Sequence, residues 1–345
     1  MSRIVHISPS TLAGAPSMLA TAQRVFLGHE AVHLRCGDYA RARDAIAAGS
    51  VPIAESDVDR AIFVDRVVQA DLIHVHNFVP RFALEWLAEL GVTARVPIVY
   101  QAHSPIGERP IYQDLSSDHG IDWAAKLAVA QAHPRMFPSF RILPNCLFRD
   151  GLSEDVRPWE EPNDPVRVVY SPSTDSSNRW ARKSSPTFSA NLGALRHARW
   201  AQVVTASDWP PEKLIALRRI AEFGIDEVVT GGFHLVTYET MACGGVVVNA
   251  ADSEAVAALQ MGARTAEAPP WLITNEQEFV DRMRELAHDS SALAAARRAS
   301  HAYFWTHLRP SRVVVLYDEL YREVGLPDSS QAPDAPDGLA ADQLA

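Results

Sequence analysis

The chain alternates between short apolar runs and longer segments with the periodicity of a helix. In the first half, the apolar runs predict strands at 2–8, 31–36, 70–77, 97–103 and 140–145. The segments between them predict helices at 17–29, 82–90 and 121–133. Continuous apolar strands separated by helices are typical of a parallel sheet that is covered on both faces.

A polar, Pro-rich segment, 149–165, divides the chain, and the alternation then starts again. Strands are predicted at 166–172, 201–207, 224–229, 246–250 and 271–275, with helices at 186–198 and 211–223. The pattern predicts an α/β fold of two Rossmann-like, doubly wound parallel sheets facing a cleft. The predicted domains span 1–150 and 151–308, helix 309–325 joins the first domain, and 326–345 form a disordered tail.

Composition narrows the classes of function. A net charge of −10 over 345 residues argues against a nucleic-acid partner, which requires a basic face. Three scattered cysteines without a C-x-x-C pair indicate a reducing compartment. No apolar run approaches the roughly 20 residues that span a bilayer. We therefore expect a cytoplasmic protein, and peripheral contact with the inner face of the membrane stays open.

Ligands of such sheets bind beyond the carboxyl ends of the strands, so the residues after each strand are candidates. Gly14 and Ala15 lie in the loop after the first strand, where glycine allows close approach of a ligand; an ordinary β–α turn is the alternative. His103 ends the strand at 97–103, whereas His74 lies inside a strand and is expected to be structural. The H-E-A-V-H at 29–33 runs into the strand predicted at 31–36 and not along a helix, so no metal site is predicted. The D-V-D at 57–59 falls in a predicted helix and is expected to be structural.

A cationic loop follows the first strand of the second half. The stretch "SPSTDSSNRWARKSS" (171–185) contains Ser173, Arg179, Arg182 and Lys183. Cations at the carboxyl end of a strand in an acidic protein are suited to a diphosphate. A solvated surface loop is the alternative.

The stretch "TGGFHLVTYETMACGGVVVNA" (230–250) carries the strongest signal. Its glycines allow a tight turn into a helix, and we assign that turn to Gly232. The first helical turn, His234 to Thr237, offers unpaired N–H groups suited to phosphate. Glu239 can accept hydrogen bonds from a ribose diol; the alternative is an ordinary acid on a helix surface.

At these residues the chain resembles retaining glycosyltransferases of the GT-B fold, family 4 in particular. That family carries an acid, G-F-G, and a second acid in E-A-M-A-C-G before a Val-rich strand, and "GGFHLVTYETMACGGVVV" is similar to this pattern. "ADLIHVHN", "YQAHSP" and "SPSTDSSNRWARKSS" resemble further segments of the family, so the likeness covers about residues 1 to 325.

The resemblance implies transfer of a sugar from a UDP- or GDP-sugar to a glycan, lipid-linked or small-molecule acceptor, with retention and without a metal or other cofactor. It implies catalytic roles for His103 and Lys183, and ribose binding by Glu239. It places Gly14 and Ala15 near the acceptor or phosphate. The remaining donor-binding residues that it implies are Ser173, Arg179, Arg182, Gly232, His234, Leu235, Val236 and Thr237.

Four positions depart from the family pattern. Gly231 stands eight positions before Glu239, where the family has its first acid. His234 replaces a glycine, and Lys183-Ser184-Ser185 replaces K-G-T. The missing acid leaves an alternative function open: a catalytically silent GT-B protein that binds a nucleotide or a partner transferase.

Overall fold

The computed structural model describes residues 1–37, 49–77, 79–103, 121–131, 135–155, 162–172, 184–207 and 209–326. It contains a seven-stranded and a five-stranded sheet, and every strand pair in both is parallel. The predicted tail, 326–345, lies outside the described residues except for Leu326.

The first sheet has the order β3-β2-β1-β4-β5-β6-β7. Its strands are β1 (Arg3–Ser8), β2 (Glu30–Arg35), β3 (Ser50–Pro52), β4 (Leu72–His76), β5 (Ile98–Ala102), β6 (Trp123–Val129) and β7 (Arg141–Leu143). The second sheet has the order β12-β11-β10-β8-β9. Its strands are β8 (Val166–Tyr170), β9 (Ala201–Thr205), β10 (Phe223–Ile225), β11 (Val246–Asn249) and β12 (Leu272–Ile273).

Helices connect the strands and cover the sheets. They are α1 (Ala15–Leu27), α2 (Asp57–Val68), α3 (Arg81–Glu89), α4 (Pro186–Arg196), α5 (Pro211–Arg218), α6 (Leu235–Ala242), α7 (Ser253–Ala263), α8 (Phe279–Ala287), α9 (Ser290–Tyr303) and α10 (Pro310–Glu323). Among the described residues, no helix combines the length and the apolar character needed to cross a bilayer.

Side-chain caps fix several helix starts. Ser56, Ser185, Asp252 and Asp289 each accept a hydrogen bond from the amide three residues on, which satisfies one unpaired N–H group of the first turn. Asp59 of the D-V-D lies in the first turn of α2 and accepts from the Ser56 hydroxyl at 2.9 Å. A carboxylate at this end of a helix also interacts favourably with the helix dipole.

The helix predicted at 121–133 is wrong, because residues 123–129 form β6. Its sequence, "WAAKLAV", has strong helix propensity, but it pairs with β5 on one side and β7 on the other. Its carboxyl-terminal half is buried completely. Backbone pairing and burial between two strands therefore outweigh a local preference of a few tenths of a kcal/mol per residue.

The last helix packs on the first sheet, far from its neighbours in sequence. Residues Val313, Tyr317 and Leu320 of α10 join a buried cluster with residues of β1, α1, β4 and β5. The Tyr317 hydroxyl accepts from Gln101 Nε2 at 2.7 Å and donates to the carbonyl of Pro144 at 3.0 Å. The chain thus returns to its first half after completing the second sheet.

A second cluster crosses between the two halves. Met18 of α1, Ala130 and Leu147 pack with Phe233 and Tyr238 of the second half. This apolar contact brings the beginning of α1 close to the beginning of α6.

Gly224 in β10 generates a prediction about packing. A Cβ at this position would lie 2.2 Å from Oγ1 and 2.6 Å from Cγ2 of Thr240. We expect Gly224→Ala to lower the free energy of unfolding by about 1–3 kcal/mol, the usual cost of an overfilled core. Urea denaturation followed by circular dichroism measures this change.

Gly193 in α4 provides the matched control, because a Cβ there meets nothing within 4 Å. Gly193→Ala should raise the free energy of unfolding by about 0.5–1 kcal/mol, since alanine restricts the unfolded chain and favours the helix. Equal midpoints for the two variants would contradict the proposed clash at Gly224.

Candidate functional site at the carboxyl ends of the two sheets

Arg149 joins the loop after β1 to helix α6. It lies in the segment between β7 and β8, which the sequence predicts to be a linker. Its Nη2 donates to the carbonyl of Ala13 at 2.9 Å, and its Nε lies 2.9 Å from Oε1 of Glu239. The carboxyl end of β1 and the start of α6 therefore form the two sides of one site.

The loop on the first side is strained. Leu12, Ala13 and Gly14 all have positive φ, at 46°, 56° and 86°. The left-handed conformation costs a residue with a Cβ about 1–2 kcal/mol. Gly14 itself is buried and Ala15 begins α1 directly after it. Strain of this kind is concentrated at ligand-binding and catalytic sites.

Asn77 and His103 extend this side of the site. Asn77, at the end of β4, also has positive φ, 64°, and its side-chain oxygen accepts from the His103 amide at 2.6 Å. The His103 ring is hydrogen-bonded through Nε2 to Nδ1 of His76 at 2.9 Å. Burial lowers the pKa of His103 to about 3, so its imidazole is neutral. The structure thus places a neutral ring at the carboxyl end of β5.

Glu239 is buried, so the alternative of a surface acid is wrong. Its carboxylate lies between Arg149 and Arg218, with Arg218 Nε 3.2 Å from Oε2. Arg218 also donates to the hydroxyls of Thr240 at 3.4 Å and Ser171 at 3.0 Å. Two guanidinium groups around one carboxylate leave a net positive charge, which favours an anionic ligand nearby.

The start of α6 already receives a carboxylate, that of Asp226 at the end of β10. Its Oδ2 accepts from the His234 amide at 2.5 Å and from the Thr237 hydroxyl at 2.8 Å, and its Oδ1 accepts from His234 Nδ1 at 2.9 Å. The amides of Leu235 and Val236 belong to the first turn and have no partner within the helix. Of the residues predicted at the first turn, the carboxylate of Asp226 thus occupies the amide of His234 and the hydroxyl of Thr237.

The turn before α6 is made by Gly231, and its assignment to Gly232 is wrong. Gly231 has φ of +79°, whereas Gly232 is not left-handed. A Cβ on Gly231 would lie 2.8 Å from Oδ2 of Asp252. Backbone conformation and the Asp252 carboxylate together explain why position 231 carries no side chain.

Glu227 organises this turn, and the sequence analysis missed it. The buried carboxylate accepts from the amides of Thr230 and Gly232, both at 2.9 Å, and from the Thr230 hydroxyl at 2.9 Å. An acid that precedes a T-G-G turn by three residues was the available signal. Arg149 and Arg218 were missed because neither stands at a strand end.

The predicted diphosphate clamp cannot be placed. Ser173, Arg179, Arg182 and Lys183 lie outside the described residues. Ser171, at the end of β8, contacts Arg218, and Ser185 caps α4. The described flanks of this loop therefore begin beside the Glu239 ion pairs and end at the start of a helix.

Solved structures with the same fold cover almost the whole chain. HepE of Anabaena, solved with UDP and glucose, has a TM-score of 0.63 at 13% identity, over 94% of this chain and 99% of that one. An α-glucosyltransferase bound to UDP and a mismatched 13-mer DNA has a TM-score of 0.60 at 13% identity, over 94% and 100%. The sucrose-phosphate synthase of Thermosynechococcus elongatus has a TM-score of 0.52 at 13% identity, over 93% and 99%.

No family model matches the sequence, and no curated protein matches it either. The structural likeness confirms the predicted fold: the chain is a GT-B protein of two parallel-sheet α/β domains. Membership of family 4 stays a prediction.

Glu227 generates a prediction about the turn. In the wild-type protein, the amides of Thr230 and Gly232 both donate to the Glu227 carboxylate. In Glu227→Gln, one carboxylate oxygen becomes an NH₂ group, which cannot accept from an amide. We expect the free energy of unfolding to fall by about 1–3 kcal/mol, the cost of leaving buried donors without an acceptor. Urea denaturation at neutral pH measures it. Glu285→Gln, an exposed change in α8, is the control and should leave the midpoint unchanged.

Proposed function

We propose that this protein transfers a sugar from a nucleotide-sugar donor to an acceptor hydroxyl. The observation that carries the proposal is the bridge through Arg149 between the strained loop at Ala13 and Glu239. It joins the carboxyl ends of two parallel sheets, where ligands of such folds bind. HepE and the α-glucosyltransferase were solved with UDP, which supports a nucleoside diphosphate as the leaving group.

The donor nucleotide would bind on the second domain. The amides of Leu235 and Val236 lie in the first turn of α6, where the helix dipole is positive. These amides would donate hydrogen bonds to a diphosphate. Glu239 would accept the ribose hydroxyls through Oε1, so Arg149 would turn from this oxygen toward the phosphates. Gly232, His234 and Thr237 would shape the pocket around them.

Charge on the leaving diphosphate would be stabilised without a metal on the phosphates. Helix amides and the cationic residues Arg179, Arg182 and Lys183, assisted by Ser173, would supply that stabilisation. Because the leaving group departs before the acceptor bonds to the anomeric carbon, attack from the same face would retain the configuration. The neutral ring of His103 would contact the donor sugar. The acceptor would bind beside the loop at Gly14 and Ala15.

Asp252 supports activity despite the absence of an acid at position 231. Its Oδ2 lies 2.8 Å from the point where a Cβ of residue 231 would be. Its Oδ1 is paired with Arg135 Nη2 at 2.7 Å. We propose that this carboxylate, supplied by the loop after β11, takes the place of the missing acid beside the donor sugar.

Nucleotide binding tests the proposal first. UDP, TDP and GDP are each added to the protein, and the thermal midpoint is followed as a function of concentration. A ligand that binds only the native state raises the midpoint, by an amount corresponding to about 2.7 kcal/mol at 100 times its Kd. We expect at least one of the three to do so, and no shift with any of them would contradict the proposed function.

Glu239→Gln tests the ribose assignment. A lost hydrogen bond to a charged group costs about 1.5–3 kcal/mol, so the Kd for the nucleotide should rise at least about tenfold. Glutamine keeps the volume of the Glu239 side chain. The control is Glu278→Gln, an exposed change that should leave the Kd for the nucleotide unchanged. Unchanged affinity in Glu239→Gln would exclude Glu239 as the ribose ligand.

Hydrolysis and transfer of UDP-sugars separate catalysis from binding. We expect slow release of free sugar without an acceptor and faster turnover with one. A nucleotide that binds without any donor cleavage would favour the catalytically silent alternative.

A further inference from the structure

We propose that His6, His74 and His76 form a binding site for one divalent transition metal, such as Zn²⁺, inside the first domain. One ring nitrogen from each of the three lies within 4.8 Å of those of the other two. The site adjoins the proposed donor site through the hydrogen bond between His76 and His103, but metal binding by the three rings does not depend on the proposed function.

The sheet brings the three rings together. His6 of β1 and His74 of β4 are partners in the parallel register, so their side chains project from the same face. His76 follows His74 by two residues and projects from that face as well. The ring centroids of His74 and His76 are 4.0 Å apart, and those of His6 and His76 are 5.2 Å apart. No H-x-x-x-H spacing is required, because the ligands come from two strands.

Each histidine has an outer partner that would orient it as a ligand. His6 Nε2 is hydrogen-bonded to Gln23 Oε1 at 2.7 Å, and His74 Nδ1 to the Tyr321 hydroxyl at 2.6 Å. His76 Nδ1 is hydrogen-bonded to His103 Nε2 at 2.9 Å. Metal-binding histidines commonly use their second nitrogen in this way, which fixes the ring and its tautomer.

The inner nitrogens are the ones that a metal would take. His6 Nδ1 and His76 Nε2 are hydrogen-bonded to each other at 2.9 Å, a bond that a metal would replace. His74 Nε2 is buried without a partner among the described residues. On β5, the register partner of His76 is Gln101, whose Oε1 is likewise buried without a described partner. Buried polar atoms are normally satisfied, so an unsatisfied ring nitrogen beside two other imidazoles favours an additional ligand at this cluster.

The distance between His6 Nδ1 and His76 Nε2, 2.9 Å, is close to what a metal requires, and the His74 nitrogen lies within 4.8 Å of both. Tetrahedral zinc has Zn–N bonds of about 2.0–2.1 Å, which places ligand nitrogens about 3.3 Å apart. The His6–His76 nitrogens would separate slightly and the third would approach. Three histidines leave a fourth position, for which Gln101 Oε1 or water is available.

The protonation states also fit. Burial lowers the pKa of His6 to about 4 and lowers the pKa values of His74 and His76 well below their ordinary value. Neutral imidazole is the form that binds a metal, so protons compete little with the metal at neutral pH. Imidazole ligands without thiolate or carboxylate suit Zn²⁺, Cu²⁺, Ni²⁺ or Fe²⁺ rather than Mg²⁺ or Ca²⁺.

Metal binding would determine the tautomer of His103. If His76 binds through Nε2, its proton must be on Nδ1, from which it donates to His103 Nε2. His103 then carries its own proton on Nδ1. The proposed site would therefore act as a positioning device for a ring at the end of β5.

Titration with Co²⁺, used in place of Zn²⁺, tests the site in the full chain after treatment with a chelator. We expect one Co²⁺ per chain, with the intense visible bands of a tetrahedral ion and no thiolate charge-transfer band. Added Zn²⁺ should abolish these bands by displacement. Weak binding with the pale spectrum of an octahedral ion would mean surface binding only and would overturn the proposal.

His74→Phe and His33→Phe form the matched pair of variants. Both replace a buried ring on the same face, but the nitrogens of His33 are occupied by Ser8 and Ser50, each at 2.7 Å. Co²⁺ affinity should fall at least about 100-fold in His74→Phe and remain in His33→Phe. Equal affinities would overturn the proposal.

Gln23→Leu provides a test if His74→Phe does not fold. It removes the outer partner of His6, together with a longer hydrogen bond from Gln23 Nε2 to the Tyr321 hydroxyl at 3.4 Å. Loss of such an outer partner typically lowers metal affinity 10–100-fold. An unchanged Co²⁺ affinity in a folded Gln23→Leu protein would contradict the assigned role of the His6 ring.

Discussion

The ion pairs of Glu239 with Arg218 and Arg149 are the constraint on which the rest of the site depends. Both carboxylate oxygens are used, and all three groups are largely removed from solvent. Removing one partner of a buried pair costs about 3–5 kcal/mol, because an uncompensated charge stays in the interior. Since Arg149 also holds the carbonyl of Ala13, this network couples the helix of one domain to the strained loop of the other.

The same network explains how an acidic chain can present a positively charged site, as the proposed donor diphosphate requires. Asp226 and Glu227 directly follow β10. Their carboxylates accept hydrogen bonds from amides and hydroxyls of the turn and of the start of α6. Their charges stabilise the local backbone, while the surplus charge of the two arginines remains around Glu239 of α6. The net charge of the chain therefore says little about the field at this site.

The two sheets could be predicted from the sequence because short, continuous apolar runs between helices are typical of strands in a parallel sheet that is covered on both faces. It failed at residues 123–129, where local propensity favours a helix and only pairing with both neighbouring strands decides the structure. At the site, Glu239 could be selected as a candidate from the sequence, because the glycines before it and the Val-rich strand after it form a local pattern. Arg149, whose role arises from a contact with a loop 136 residues away, gave no local signal.

The histidines of the first sheet show the same limit more sharply. The position of His74 inside an apolar strand predicts a structural residue, and the side chain is indeed buried. Its hydrogen-bond partner, Tyr321, lies 247 residues later on α10, and Gln23 reaches the same hydroxyl from α1 at 3.4 Å. Because α10 follows the second sheet in sequence, Tyr321 reaches His74 only when the chain returns to the first sheet. The hydrogen bond of His74 Nδ1 therefore depends on α10, which links burial of this ring to a helix that follows the second sheet.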